Sequence, residues 1–439
     1  MSATFKSLAV PNFRVWLAAI TVSNVGTWMQ RTAQDWIVLT QLTDNDAAAV
    51  GITMALQFGP QLVLSPLTGL VSDLFDRRRL LILTQSVMGL LGLALALLTV
   101  FGLLELWMVM VLALGLGIAS AFDGPARQTF AADLVPADHL SNAVALNATS
   151  FNLARLSGPA IAGLLTATIG AGWVFVINAA TFAATIAGLL VLRRAQAELP
   201  KRVPRAPGQI RAGFSYVRSR ADLMLVFIMV ALLGTFGMNF PIFISTMSVE
   251  FGGDAWLFGM LSSALAVGSL TGALIAARRE RPRLKTITIA SAAFGALLIV
   301  ASVMPNPITF AIVLAALGVC AISTVNSANA YVQTTTAPGL RGRVMSLYMA
   351  IFIGGAFIGA PLVGWVANLA GPRWAMIVGA AAGLLAATAA AIFFIQSREV
   401  RVRWMPAKRW PLRITSRDPA LAREVAAAEI GVTEAESER

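Results

Sequence analysis

The sequence predicts an all-α membrane protein with twelve transmembrane helices. Its 439 residues are 57% hydrophobic and 12% charged, with a mean hydropathy of +0.76, whereas an ordinary soluble domain carries about 25% charged residues. A helix needs about 20 mostly apolar residues to cross the hydrocarbon layer, because its backbone groups must be hydrogen-bonded within the helix there. Apolar runs of that length follow one another along most of the chain, and together these observations exclude a soluble fold.

The predicted spans are bounded by charged residues or by Pro, Gly, Asn and Asp. They cover residues 13–41, 48–71, 80–101, 106–128, 142–168, 173–192, 223–246, 255–277, 286–304, 308–333, 345–370 and 374–396. The N-terminal stretch lacks the short apolar core and small-residue cleavage site of a signal peptide, so we expect the first span to be retained.

Basic residues indicate the orientation in the membrane. Most of the 33 Lys and Arg residues fall in segments that alternate onto one side, while the loops of the other side contain Arg373 and several acids. By the positive-inside rule the basic side is cytoplasmic, and an even number of spans puts both termini there. We expect a multi-pass protein of the bacterial inner membrane, monomeric within the lipid bilayer. Topology explains the net charge of +12, so no nucleic-acid partner is expected.

An internal repeat divides the spans into two sixes around the basic stretch 193–222. Leu-Thr-Gly occurs at 67–69 and again at 270–272, and Pro159 corresponds to Pro361. We therefore predict two pseudo-symmetric six-helix bundles arranged as parallel repeats. The predicted domains are an N-terminal bundle, a cytoplasmic linker with an amphipathic helix near 209–220, a C-terminal bundle and a cytoplasmic tail, at residues 1–193, 194–222, 223–397 and 398–439.

The tail and the two rarest residue types carry little functional signal. One capped helix is expected from Asp418 to Gly431, and the rest of the tail is expected to be disordered. Cys320 lies in an apolar run and is interpreted as a small buried residue. His139 lies in a short loop with no second His or Cys nearby, so neither a metal site nor a cofactor is expected.

The loop after the second span carries a recognisable signature. It reads Gly69-Leu-Val-Ser-Asp73-Leu-Phe-Asp76-Arg77-Arg78-Arg79 and resembles the G-x-x-x-D-R-x-G-R-R motif of the major facilitator superfamily. Leu74 replaces the usual Arg and Asp76 the usual Gly; this variant is similar to the branch that contains enterobactin-type siderophore exporters and macrolide exporters. Further stretches that resemble this branch are 28–31, 122–128, 142–147, 152–155, 158–159, 213–218 and 341–346. The resemblance implies the major facilitator fold and secondary transport.

A second resemblance lies in the fifth span, at Gly158, Pro159 and Gly163. These residues are similar to the glycine-proline signature of proton-driven exporters of the superfamily, although Ala162 stands where a second Gly is common. Small residues permit close helix packing, and the proline permits a bend. The resemblance therefore favours export over import.

Ionisable residues within spans are costly, so each is a functional candidate. Arg31 and Asp35 share a face of the first helix. We place these two residues, with the neighbouring Gln30, in the outer half of the membrane. Asp35 is interpreted either as a carboxylate that takes up a proton from outside and loosens from Arg31, or as part of a permanent ion pair or outer-gate contact.

Asp123 and Arg127 repeat the four-residue spacing near the cytoplasmic end of the fourth span. The resemblance implies that Asp123 bonds Arg77 or Arg78 and latches the closed cytoplasmic face; coupling and simple solvation of the helix end are the alternatives. The predicted latch comprises Gly69, Asp73, Asp76, Arg77, Arg78, Asp123 and Arg127.

Arg155 lies near the middle of the fifth span, one turn from Asn152. It is interpreted as lining the central cavity, where its charge can attract an anionic ligand, or as pairing with Asp35 or Asp123. Aromatic and methionine side chains of the spans suit an adaptable surface for bulky amphipathic compounds.

The sequence thus predicts export of a small amphipathic drug or natural product by alternating access, with protons as the counter-substrate. A dedicated siderophore exporter is the alternative, and a non-transporting scaffold or sensor is a third possibility. No phosphate-binding G-x-x-x-x-G-K-[ST] loop occurs, so ATP is not the expected energy source. No clustered nucleophile, base and stabilising group is visible, so an enzyme is not expected.

Overall fold

The computed structural model of the protein describes residues 3–192, 209–277, 283–338, 340–397, 401–404 and 412–415. Almost all of these residues are helical. The helices are α1 (Pro11–Thr40), α2 (Ala47–Leu74), α3 (Arg77–Val100), α4 (Leu106–Asp133), α5 (Leu140–Ile169), α6 (Ala171–Val191), α7 (Gln209–Ser219), α8 (Ala221–Leu232), α9 (Phe240–Glu250), α10 (Ala255–Ala277), α11 (Leu284–Ser302), α12 (Pro307–Thr335), α13 (Arg341–Ala370) and α14 (Pro372–Ser397). Two short antiparallel strands, β1 (Arg401–Trp404) and β2 (Leu412–Thr415), pair in the tail.

The helices confirm the predicted all-α membrane fold. Ten spans in the described residues are long and apolar enough to cross a membrane, with α8 and α9 counted as one. The other two of the twelve are α1 and α5, which have 30 residues each and so are about 45 Å long. Polar and charged side chains lower their hydropathy, and these two helices pack against each other inside the bundle.

The two halves repeat one arrangement. In the first half α1 contacts α5 and α6, α3 contacts α4 and α6, and α2 contacts α4; the equivalent helices of the second half make the same contacts. Helices α5 and α13 both have 30 residues and contain an internal proline, Pro159 and Pro361. Each ends at a glycine with positive φ, 87° at Gly170 and 96° at Gly371, a conformation that favours residues without a Cβ. The predicted pseudo-symmetric bundles are confirmed.

The halves meet along α2 with α13 and along α5 with α10. We call the face where α1 begins and α14 ends the terminal face, and the other the opposite face. The close contacts between halves lie toward the opposite face: a Cβ on Gly163 would be 2.6 Å from the Cα of Gly259, and Trp36 stacks on Phe258 with ring centroids 5.6 Å apart. Toward the terminal face of the same seam, Asn152 is exposed. The halves therefore close at the opposite face and separate toward the terminal face.

The seventh span departs from the prediction of a continuous helix. A π-helical turn at Leu233–Gly237 separates α8 from α9, and the Met238 N–H donates to the Leu233 carbonyl at 2.9 Å. Asn239 Nδ2 donates to the Thr235 carbonyl at 2.7 Å, which satisfies one of the freed backbone groups. Pro241 lies in the first turn of α9, where its missing N–H costs no helical bond.

The predicted amphipathic helix of the linker is present as α7 (Gln209–Ser219). It contacts α13 of the second half, with Val217 buried. The Ala337 N–H donates to Tyr216 Oη at 3.3 Å. In the tail, the pair of β1 and β2 shows that the expectation of disorder is wrong there, and the helix expected at 418–431 lies outside the described residues.

Candidate functional site

A stripe of polar side chains on α1 faces the interior of the first bundle. Its members recur at intervals of three and four residues, so they share one helical face. Most of them are buried, and they run from the middle of the helix toward the opposite face, at Ser23, Asn24, Thr27, Gln30, Arg31, Gln34 and Asp35. The helix therefore brings a polar face into the centre of the first bundle.

At its end nearer the terminal face, the stripe adjoins Asp123, a buried carboxylate that accepts hydrogen bonds and pairs with a cation. Asp123 is 3% exposed and forms an ion pair with Arg127 on the same helix. Thr84 Oγ1 and Gln85 Nε2 each donate to Asp123 Oδ1 at 2.8 Å, and Arg127 Nη1 donates to Asn24 Oδ1 at 2.8 Å. Two donors and one cation compensate the charge, so this cluster holds α1, α3 and α4 together.

The expected bond from Asp123 to Arg77 or Arg78 is not formed. Arg77 Nη1 instead pairs with the two carboxylate oxygens of Asp133, at 2.7 and 2.5 Å. Arg78 donates to the carbonyls of Leu189 and Leu190. The reason is proximity: Arg127 is one helical turn from Asp123, and Arg77 begins α3 beside the end of α4.

The remaining members of the predicted latch lie apart from Asp123. Asp76 caps α3 by accepting from the Arg79 N–H at 2.8 Å, and it is exposed. Gly69 and Asp73 belong to the last turns of α2, and the Asp73 side chain lies outside the described part of the chain. The bonds that the structure shows for the predicted latch residues all lie within the first half.

The middle of the polar stripe encloses a small cavity. Asn178 Nδ2 donates to Gln30 Oε1 at 2.5 Å. Beside this bond lies a space of about 20 Å³, lined by Thr27, Gln30, Arg31, Gln34, Gln57, Met88, Leu116, Gly117, Ser120, Asn178 and Phe182. A polar cavity of this size can hold one water molecule. Gln34 is 1% exposed and its Nε2 has no hydrogen-bond partner in the structure.

Asp35 lies beyond this cavity, toward the opposite face. It is 5% exposed, and its Oδ1 has no hydrogen-bond partner in the structure. Arg31 lies one turn away on the same face, as expected, but its guanidinium packs over two rings, 5.4 Å from the Trp28 centroid and 4.7 Å from that of Phe58. Asp35 is therefore a buried acid with one carboxylate oxygen that no donor among the described residues satisfies.

The packing of α5 against its two neighbours determines where the Arg155 side chain points. Gly158 packs on α1, where an added Cβ would lie 2.6 Å from the Cβ of Trp28, and Gly163 packs on α10. On a helix of 3.6 residues per turn, Arg155 points between these two contacts, into the cleft between the halves. It is half-buried, and the expected pairs with Asp35 or Asp123 are not formed. Asn152 is exposed and donates to the Ala148 carbonyl at 2.8 Å.

The opposite face carries contacts that sequence reasoning missed. Asn368 of α13 accepts from the Ala47 N–H at 2.8 Å and donates to Asp46 Oδ1 at 2.5 Å. Asp46 also caps α2 through Ala48 and Ala49. A cavity of about 460 Å³ adjoins this contact, with acids from both halves in its lining.

One exposed ion pair fastens the N-terminal segment. Lys6 Nζ lies 2.8 Å from Asp138 Oδ2, and this hydrogen bond lowers the pKa of the Asp138 carboxyl below its ordinary value. His139 lies beside Asp138 in the same short helix, and Cys320 is partly buried in α12. These residues lie outside the polar stripe.

Among sequence families, the profile described as transmembrane secretion effector matches residues 2–425. The staphyloferrin A transporter of Staphylococcus aureus is 26% identical over 253 residues, which are 57% of this chain and 63% of that protein. The multidrug efflux pump Tap of Mycolicibacterium fortuitum is 27% identical, over 82% of this chain and 90% of Tap. The enterobactin exporter EntS of Escherichia coli O1:K1 is 26% identical, over 82% of this chain and 86% of EntS. The chain therefore spans less than two thirds of the staphyloferrin A transporter's length, although it covers most of Tap and EntS.

Solved structures share the fold at low sequence identity. The nucleoside transporter NupG has a TM-score of 0.69 at 13% identity, over 87% of this chain and 99% of that chain. A bacterial homologue of the human lysosomal transporter Spinster, described as inward-facing and unoccupied, has a TM-score of 0.68 at 14% identity, over 90% of this chain and 99% of that chain. These similarities extend along both six-helix bundles.

Proposed function

Because the chain belongs to the transmembrane secretion effector family of the major facilitator superfamily, we propose that it exports a small amphipathic molecule by alternating access in exchange for protons. The family is one of transporters rather than enzymes. Residues 1–193 and 223–397 form the two rocking bundles of this proposal, residues 194–222 link them, and residues 398–439 form a cytoplasmic tail. The monomer carries out the cycle.

The proposed orientation places the terminal face in the cytoplasm of a bacterial inner membrane. The basic loops of that face support this orientation through the positive-inside rule. The cleft then opens to the cytoplasm, and the contacts at Gly163 and Asn368 form the closed outer gate. Cargo enters from the cytoplasm and leaves once this gate opens and the terminal face closes. The seven predicted latch residues are proposed to act in the state in which the terminal face is closed.

The buried carboxylate of Asp35, whose Oδ1 has no hydrogen-bond partner among the described residues, is the observation that carries proton coupling. It lies beneath the closed gate, beside the stacked Trp36 and Phe258. When the gate opens, water from outside reaches Asp35 and delivers a proton. The neutral acid is easier to enclose in the apolar interior than the carboxylate, so protonation favours the return to the state seen here. The Gln34 and Gln57 amides line the small cavity on the terminal-face side of Asp35.

Proteoliposomes test this proposal. We expect cargo added to one side to drive proton movement across the membrane in the wild type and not in Asp35→Asn. The Asn variant is still expected to exchange labelled cargo between the two sides, because an amide resembles the protonated acid. Glu105→Gln is the matched control, since Glu105 is an exposed carboxylate at the opposite face that bonds Trp107. Cargo-driven proton movement that survives Asp35→Asn unchanged would remove Asp35 from coupling.

A dedicated siderophore exporter is the second candidate. Two of the relatives are named for siderophores, staphyloferrin A and enterobactin, whereas Tap is named as a multidrug pump. A deletion strain separates the candidates. Loss of siderophore secretion in iron-poor medium with unchanged drug sensitivity supports the dedicated exporter, and raised drug sensitivity with normal secretion supports the multidrug pump.

A further inference from the structure

Arg155 lies where the cleft between the halves comes to its closed end. Directly beyond it toward the opposite face, Pro159 and Gly163 of α5 pack on Gly259 of α10. On the other side, Asn152 and Ala148 are exposed to the cleft. A molecule that enters from the terminal face therefore meets the guanidinium of Arg155 just before the closed gate.

The charge of Arg155 has no partner within the described residues. Among the described residues no carboxylate pairs with this guanidinium. Within the described spans, only Asp35 and Asp123 are acids away from the helix ends. Asp123 is bonded to Arg127, and Asp35 lies one turn from Arg31 on α1. A half-buried cation without a counter-charge is costly, which indicates that its counter-charge comes from a bound molecule.

The surroundings of Arg155 suit a molecule with an apolar body. One turn away on α5, Phe151 is exposed and makes an edge-to-face contact with Trp28, with ring centroids 6.0 Å apart. Aromatic side chains beside a single cation can bind an aromatic or aliphatic body that ends in an acid.

We propose that the cargo is an organic anion whose acidic group pairs with Arg155 in the cleft. This inference rests on the proposed export function and narrows its substrate class from amphipathic molecules to amphipathic acids. The planar guanidinium can donate two parallel hydrogen bonds to a carboxylate, sulfonate or phosphate. Asn152, on the exposed side of the same helix, is placed to contact the polar part of the molecule.

Binding measurements on the full chain test the proposal. The probes are pyrenebutyrate and dansylglycine, each compared with its neutral amide, on protein in phosphatidylcholine nanodiscs. Tryptophan-to-probe energy transfer reports binding to the protein. In the wild type we expect each acid to bind about 10- to 100-fold more tightly than its amide, the range for a hydrogen bond to a charged group. We expect Arg155→Gln to abolish the preference and Arg155→Lys to retain part of it.

Arg218→Gln is the matched control, because Arg218 is an exposed cation of the linker helix α7, outside the spans. It should leave the preference unchanged. Equal binding of acid and amide, binding of neither, or a preference that survives Arg155→Gln would overturn the proposal. Loss of the acid preference on replacing part of the lipid with phosphatidylglycerol would show that a lipid headgroup occupies the site, and would also overturn it.

The two proposals fail in different ways. Acid-selective binding that depends on Arg155, without proton movement in proteoliposomes, would refute proton coupling and leave the acidic substrate class in place. Proton-coupled export of neutral amphiphiles, unaffected by Arg155→Gln, would refute the substrate class and leave the exporter in place. The Lys variant guards against misfolding, since it keeps the charge at the same helical position.

Discussion

Asn368→Ala should shift the protein toward the state in which the opposite face is open. The side chain forms two hydrogen bonds between the halves, with Ala47 N–H and Asp46 Oδ1. A neutral hydrogen bond contributes about 0.5–1.5 kcal/mol net and one to a charged group about 1.5–3 kcal/mol. Asn368 is exposed, so water replaces part of each bond and a total of about 1–2 kcal/mol remains. The ratio of open to closed molecules should therefore rise about 5- to 30-fold.

Spin-label distances measure this shift. In a Cys320→Ser background, Leu103→Cys and Ile308→Cys place labels on exposed positions of the opposite face, one in each half. The wild type should show mainly the shorter distance, and Asn368→Ala should populate the longer one. Asn306→Ala is the matched control, because Asn306 caps α12 through the Thr309 N–H within one half. An unchanged distribution in Asn368→Ala, or an equal shift in Asn306→Ala, would refute the reasoning.

Three further predictions follow from contacts elsewhere. Gly163→Ala should also lengthen the opposite-face distance, because its Cβ would lie 2.6 Å from the Gly259 Cα; Gly124→Ala, whose Cβ meets no atom within 4 Å, should not. Asp123→Asn should lower the thermal unfolding temperature markedly, since breaking a buried ion pair costs about 3–5 kcal/mol, while Asp76→Asn should change it little because Asn also caps helices; equal melting temperatures would contradict this. The lowered pKa of Asp138 means that the Lys6 pair stabilises fully above the ordinary pKa of Asp, about 3.9, and is lost as pH falls through the lowered value. Asp138→Asn should therefore remove this acid-side loss in unfolding scans against pH, and an unaltered pH profile would count against the pair.

The helices could be predicted because a span is defined by length and apolar character, which one sequence displays. The repeat was also visible, since Pro159 and Pro361 occupy matching positions in α5 and α13. The break before α9 was missed because the apolar run continues through it. At the break the regular backbone bonds are replaced by a π-helical turn at Leu233–Gly237. The Asn239 side chain bonds one of the carbonyls that this turn frees.

The sequence identifies which residues belong to the candidate site, but it does not identify the residues that they contact. Arg31, Asp35, Asp123 and Arg155 stand out as charges within spans. The polar stripe of α1 has a periodic signal in the sequence, since Gln34 lies one turn after Gln30, and that period could have identified Gln34 in advance. Partner choice could not be predicted, because a contact such as that of Asn368 with Asp46 joins residues 322 positions apart. The lack of a partner for Arg155 among the described residues likewise depends on where the other acids of the fold lie.

Uphill export driven by an imposed pH gradient is the most direct test of the central claim. Proteoliposomes are loaded with a fluorescent amphiphile that the protein binds, and a more acidic solution is placed on the side of the opposite face. The wild type should accumulate the amphiphile on that acidic side against its own gradient, and Asp35→Asn should only equalise the two sides. Accumulation that continues in Asp35→Asn, or that is missing in the wild type, would contradict proton-driven export through this carboxylate.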